Sequence, residues 1–182
     1  MCVDMRLAAE DPAATGLRDR IETLFVAHVE AVYNVAYRVL WNRADAEDVT
    51  QRTFVKAITR WEQLKDATRA RPWLLQIAYR EAITVVRRRR DVPTDPSELP
   101  ETPVIDGSPA DAAVAADVRS IVGAALARLS PDERMAVVLR DVEGLPMNDV
   151  AEILGVGVSA AKMRVHRGRA SLRDRLASKE VR

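Results

Sequence analysis

Apolar residues recur at helical spacing along most of this chain, and almost nowhere do they alternate as a strand requires. Leu17, Ile21, Leu24, Phe25, Val29, Val32, Tyr33, Ala36 and Leu40 form one stripe and predict a helix over about 17–41. Ala46, Val49, Thr53, Phe54, Ala57, Ile58 and Trp61 predict a second over about 44–61, whose other face shows Glu47, Asp48, Gln51, Arg52 and Val55. A polar loop, Lys65–Ala70, separates it from a third helix. That helix begins near Pro72, runs to about Arg90 and buries Trp73, Leu74, Ile77, Ala78 and Val85. Val114, Val118, Ile121, Val122, Leu126 and Leu129 predict a fourth over 111–129.

The C-terminal third carries the sharpest pattern. Ser130 can cap a helix, Pro131 suits its first position and Glu133 can complete a capping box. Met135, Val138, Leu139 and Val142 follow at helical spacing, and Gly144 ends the run. Leu145-Pro146 opens a short helix with Val150, Ile153 and Leu154 inward, and Gly155 supplies a turn that needs a positive φ. The last helix starts near 157–159 and runs to about Leu176, with Ala161, Val165, Leu172 and Leu176 on its apolar side. Two short helices, a tight glycine turn and a cationic second helix spell a helix-turn-helix. The expected fold class is all-α, as two small helical domains joined by an extended linker.

Charge sharpens this division. The net charge is only +1, yet its sign is sorted by segment. From Val158 to Arg182 there are eight Lys and Arg against Asp174 and Glu180. The third helix ends in four consecutive arginines, Arg87 to Arg90. Residues 91–117 hold seven acidic residues and no Lys or Arg, and 91–110 also hold five prolines. Proline disfavours helix, so this stretch reads as an acidic linker able to span about 65–70 Å when fully extended. Two basic helices flanking it suggest a two-point grip on nucleic acid.

In such a motif the first turns of the second helix read base edges. Ser159, Ala160, Lys162, Met163, Arg164 and Arg167 are placed for that, with His166 and Arg169 also on the polar face. Arg can pair bidentately with guanine, and Lys can serve guanine or phosphate. A solvated basic face is the plainer alternative. His28 lies near the first apolar stripe and reads as a packed histidine, and Trp41, Trp61 and Trp73 read as core or helix-end packing. The single cysteine, Cys2, permits no intrachain disulfide or cysteine-based metal site, which suits a reducing cytoplasm. There is no phosphate-binding glycine loop, HExxH or nucleophile elbow, so neither catalysis nor a cofactor is expected. No apolar run is long enough for membrane insertion.

Three segments in order resemble the bacterial RNA polymerase sigma factors of the extracytoplasmic-function group. DAEDVTQRTFVKAI at 45–58 is similar to the family's clamp-gripping helix. RPWLLQIAYREAITVVRRRR at 71–90 is similar to the segment that reads and opens the −10 element, and ALARLSPDERM…HRGRASL at 125–172 resembles the −35-reading region four. With a flexible leader expected at 1–16, the acidic linker at 91–110 and a tail at 178–182, the resemblance implies a region 2 domain at 17–90 and a region 4 domain at 111–177.

It further implies a polymerase-binding face of Glu47, Asp48, Gln51, Arg52 and Val55. For the −10 element it implies Lys65, Asp66, Thr68, Arg69, Arg71, Gln76, Tyr79, Arg80, Arg87 and Arg88, with the loop capturing an unpaired base. For the −35 element it implies Ser159, Ala160, Lys162, Met163, Arg164, His166, Arg167 and Arg169. The implied partners are core RNA polymerase, promoter DNA and an anti-sigma factor. The linker would thread the polymerase's RNA channel, or else serve as a solvated tether.

Arg52 stands where the family usually has an acidic residue, Arg80 where Asn is frequent, and Ala160 and Met163 where Thr and Ser are frequent. Two other readings stay open at the level of sequence. One is a helix-turn-helix regulator acting without polymerase. The other is a helical module that sequesters protein partners.

Overall fold

The computed structural model describes residues 12–91 and 121–180, all of whose regular elements are helical. The acidic linker, Cys2 and the extreme termini lie outside the described residues. In chain order the helices are α1 (Pro12–Leu40), α2 (Arg43–Thr59), α3 (Ala70–Asp91), α4 (residues 121–127), α5 (Pro131–Val137), α6 (Met147–Leu154) and α7 (Val158–Glu180). α1 starts earlier than the apolar stripe predicts, at Pro12. Pro12 in the first turn and the helix-forming Ala13 and Ala14 favour that start, at a cost of about 1 kcal/mol for Gly16.

α1, α2 and α3 pack on one another, and so do α5, α6 and α7. α2 begins where Asn42 Oδ1 accepts the Asp45 backbone N–H at 2.9 Å. The turn before it rests on Trp41, a buried non-glycine residue held at φ +51°. Val35 and Val39 are buried beside the predicted α1 stripe because α1 is covered by α2, α3 and α5 together. Phe25 and Ile58, expected inside, are 44% and 45% exposed. Phe25 packs its ring at 4.7 Å from Phe54.

α5 passes into a five-residue π turn, Val138–Val142, closed by the Glu143 N–H on the Val138 carbonyl at 2.9 Å. The wider turn shifts the register, which leaves Val142 50% exposed although the helical spacing placed it inward. Gly155 takes the positive φ that its turn required, at +66°, and Gly144, which ends the preceding run, also has a positive φ, at +68°.

The two helical groups also pack against each other, α3 on α6 and α1 on α5. One apolar core runs through both, from Val32 and Leu74 to Met135 and Ile153. At the joint, Trp41 meets Leu126, Leu129 and Val137. Arg134 is buried there without a carboxylate partner among the described residues. Its guanidinium donates to Val39 O at 2.6 Å, Ala127 O at 2.6 Å, Leu126 O at 2.9 Å and Leu129 O at 3.0 Å. Several of these are carbonyls at the C-terminal ends of α1 and α4, which lack intrahelical partners and carry partial negative charge. Burial lowers the Arg134 pKa to about 10, so the group stays charged at neutral pH.

Candidate nucleic-acid interface

α6 and α7 form the helix-turn-helix. α6 ends on Gly155 in the left-handed region, with the Val156 N–H bonded to Ala151 O at 3.0 Å. Ala161, Val165 and Gly168 anchor α7 against α5 and α6. Gly168 is needed there, since a Cβ would lie 2.6 Å from Val137 Cγ2 and 3.2 Å from the Glu133 carbonyl oxygen. Ser130 caps α5 by accepting the Glu133 N–H at 3.4 Å, and its hydroxyl donates to the Glu133 carboxylate at 2.8 Å.

This packing sorts the eight predicted −35 residues. Ser159, Ala160, Lys162, Met163, His166 and Arg167 are exposed along one side of α7. Arg164 and Arg169 sit at the margins of that side and are occupied within the domain. Arg164 pairs with Asp132 at 3.0 Å, and Arg169 Nε donates to Asp141 at 3.0 Å. The Asp141 contact raises the Arg169 pKa, chiefly through the side-chain hydrogen bond.

The predicted −10 residues divide further. Lys65, Arg80, Arg87 and Arg88 are exposed. Asp66 and Thr68 build the loop: Asp66 Oδ1 accepts the Thr68 N–H at 2.9 Å and its hydroxyl at 2.7 Å. These bonds, the hydroxyl's first, hold the Asp66 carboxyl below its ordinary pKa. Arg69, Arg71, Gln76 and Tyr79 instead reach the C-terminal helices. Arg69 bonds Asp149 and Glu152, each at 2.6 Å, and Gln76 Nε2 donates to Glu152 O at 2.8 Å. Arg71 bonds Glu143 at 2.6 Å, and the Tyr79 hydroxyl donates to Asp132 at 2.8 Å. Burial, then this bond, pushes the Tyr79 pKa far up. Arg89, not among the predicted residues, pairs with Asp45 and so ties α3 to α2.

A cleft of about 510 Å³ opens between α1 and the loop before α3, lined by Leu24, His28, Trp61, Leu64, Lys65 and Ala67 among others. Arg20 covers the Trp61 ring at 5.2 Å. On α2, Glu47, Gln51 and Val55 are exposed, while Asp48 and Arg52 are half-exposed and paired with each other. The notable omissions from the sequence reading are Asp132, Glu143, Asp149 and Glu152. Acidic residues in such segments carry no mark of their partner when that partner lies 53 to 83 positions away.

No described group of His, Cys, Asp and Glu could hold a metal ion, and no described helix is long and apolar enough to cross a membrane. An all-helical chain with a helix-turn-helix and a second arginine-rich helix belongs to the class of DNA-binding proteins built from two helical units. Comparison with known proteins narrows the class. Residues 24–92 match the model of Sigma-70 region 2, and residues 119–172 match that of Sigma-70, region 4.

The chain is 36% identical over 156 residues to the ECF RNA polymerase sigma factor SigE of Mycolicibacterium smegmatis, covering 82% of this chain and 59% of that protein. It is 34% identical over 166 residues to RNA polymerase sigma factor CarQ of Myxococcus xanthus, covering 91% and 94%. Among solved structures, CnrH in complex with the cytosolic domain of CnrY aligns with TM-score 0.67 at 26% identity, covering 91% of this chain and 93% of that one. The sigma factor RpoE bound to the anti-sigma factor NepR from Bartonella quintana shares the fold, with TM-score 0.72 at 24% identity, covering 87% and 97%. The chain belongs to the sigma-70 family, among the extracytoplasmic-function RNA polymerase sigma factors. It is therefore a transcription initiation factor.

Proposed function

We propose that this chain binds core RNA polymerase through the exposed face of α2 and brings it to promoters by two DNA contacts. α7 reads the −35 element in the major groove with Ser159, Met163 and His166 at the centre of its free side and Lys162 and Arg167 beside them. The loop before α3 and the exposed arginines of α3 engage the −10 strand. The observation that carries this reading is the free side of α7, cationic and held in place by α5 and α6. The cleft beside Trp61 and Lys65 has room for an unpaired base, whose extrusion costs a few kcal/mol.

The protein acts in the cytoplasm, supplies specificity and performs no chemistry of its own. An anti-sigma factor is its expected regulator, as NepR is the anti-sigma factor bound to RpoE from Bartonella quintana. The testing experiment is holoenzyme assembly. Asp48→Ala with Gln51→Ala should weaken binding to core polymerase without loss of helical content, and Lys162→Ala with Arg167→Ala should spare core binding but lower promoter affinity. Unchanged affinities in both titrations would remove these two surfaces from the reading.

A further inference from the structure

Arg169 stands seven positions beyond Lys162, close to two full turns of α7, and so lies on the same side of the helix as that residue. It is far from the first turns that read base edges, so a DNA contact made from here falls on the backbone. Its guanidinium is already gripped. Arg169 Nε donates to Asp141 Oδ2 at 3.0 Å, and Arg169 Nη2 donates to the other carboxylate oxygen, Oδ1. A carboxylate that takes Nε and Nη2 together fixes both the plane of the guanidinium and the direction in which it points. It uses only one edge of the fork. The edge between Nη1 and Nη2 keeps three of the five N–H donors, and the Arg169 side chain is 52% exposed against 32% for Asp141.

The surrounding backbone holds Asp141 in place. It lies in the π turn Val138–Val142, closed by the Glu143 N–H on Val138 O at 2.9 Å and braced where Arg140 Nη1 donates to Leu145 O at 2.9 Å. Val137, directly before the turn, is the residue that Gly168 approaches, and this crossing brings the next residue of α7, Arg169, alongside the turn.

We propose that Asp141 is a positioning residue for promoter binding: it holds Arg169 so that the free edge of the guanidinium meets a backbone phosphate beside the −35 element. This rests on the reading of α7 as the −35 helix made above. The sign of the effect sets the role apart. An acidic side chain next to DNA repels phosphate, so on charge alone its removal should tighten binding. Removal of a positioning carboxylate should loosen binding, because the long Arg169 side chain must then be ordered at the moment of contact.

The test uses the full chain and, as probe, a fluorescein-labelled random-sequence duplex of about 30 base pairs, with anisotropy read across a salt series. Phosphate contacts carry no sequence information, so a random duplex reports them. Asp141→Asn is expected to weaken binding about threefold at low salt. Arg169→Gln should weaken it at least as much and lower the salt slope by about one. In the Arg169→Gln background, Asp141→Asn should no longer weaken binding. Arg169→Lys keeps the charge but cannot be gripped on one edge and free on the other, so it too should lose affinity. That variant probes the same pair from α7 and serves if Asp141→Asn folds poorly; full wild-type affinity in it would overturn the proposal.

Tighter or unchanged binding by Asp141→Asn would also overturn it, and so would equal weakening in both backgrounds, the mark of a merely structural role. Lys162→Ala with Arg167→Ala tests the reading beneath. If that pair changes nothing, α7 does not face DNA and the positioning role falls with it. If the pair weakens binding while Asp141→Asn does not, the −35 reading stands and only the role of Asp141 fails.

Discussion

Gly168 on α7 lies so close to Val137 on α5 that a methyl group at its Cα would sit 2.6 Å from Val137 Cγ2. The Glu133 carbonyl oxygen, fixed in the α5 backbone, is 3.2 Å from the same point. This crossing sets the angle at which α7 leaves the domain. Gly168→Ala gains up to about 1 kcal/mol of helix propensity but must displace a short β-branched side chain and press on backbone, a cost of about 1–3 kcal/mol. The expected result is net destabilisation, read as a lower urea midpoint, with weaker promoter binding by the folded fraction. A gain in stability would show that the two helices can separate freely.

Arg134 holds the ends of two helices by hydrogen bonds to carbonyls of α1 and of the segment from α4 to α5. Hydrogen bonds to a charged donor are worth about 1.5–3 kcal/mol, and truncation orphans several acceptors at once. Arg134→Met should therefore destabilise the chain by about 2–4 kcal/mol despite adding apolar character. Equilibrium denaturation measures this directly. A loss within 0.5 kcal/mol would mean that water satisfies the freed carbonyls.

The arginines of α7 should behave as two sets. Arg167, exposed on the free side, should give a loss of about 1–3 kcal/mol on replacement by Ala if it reads a base, with relaxed preference at one base pair. If it binds phosphate, all sequences should weaken alike and the salt slope should fall by about one. Arg164→Ala first breaks the pair with Asp132, so its thermal midpoint should fall more than that of Arg167→Ala. Promoter titrations across a salt series, run beside melting curves, separate the two. Equal thermal and binding effects for both variants would contradict the division.

His28 adds a pH dependence. Burial, and then the charge of Arg71, lowers its pKa below the ordinary value of 6.5. Above that value the imidazole is neutral folded and unfolded, and its contribution to stability is fully present. As pH falls from 6.5 toward the folded pKa, the unfolded chain binds more protons and stability is lost. The wild type should lose thermal stability over this interval more steeply than His28→Gln, and an NMR titration should place the His28 midpoint below 6.5. A midpoint at or above that value would contradict the packing described around α1.

Local signals made much of this structure readable. The glycines at 144 and 155 and the Ser130 cap each act within a few residues and appear as expected, and so do the apolar stripes except at Phe25, Ile58, Val122 and Val142, which are exposed. The helix-turn-helix and its exposed side followed from them. Tertiary partners were not readable. Nothing in SPDERM marks Arg134 for burial, yet it is buried and makes a structural group. Arg164 and Arg169 looked as free as Arg167, because the aspartates that bind them lie 28 or more positions earlier. The π turn left no trace in periodicity beyond one misplaced residue, Val142. The packing of α3 on α6 depends on charges in distant segments that pair only once both halves are folded.

The most direct test of promoter-directed initiation is run-off transcription over genomic fragments with core polymerase from the same organism, with and without this protein. Discrete new start sites should appear only when the protein is present, and they should vanish with Lys162→Ala and Arg167→Ala together while core binding persists. No new start sites, in the presence of a complex with core that is demonstrably formed, would contradict the assignment of promoter recognition to this chain.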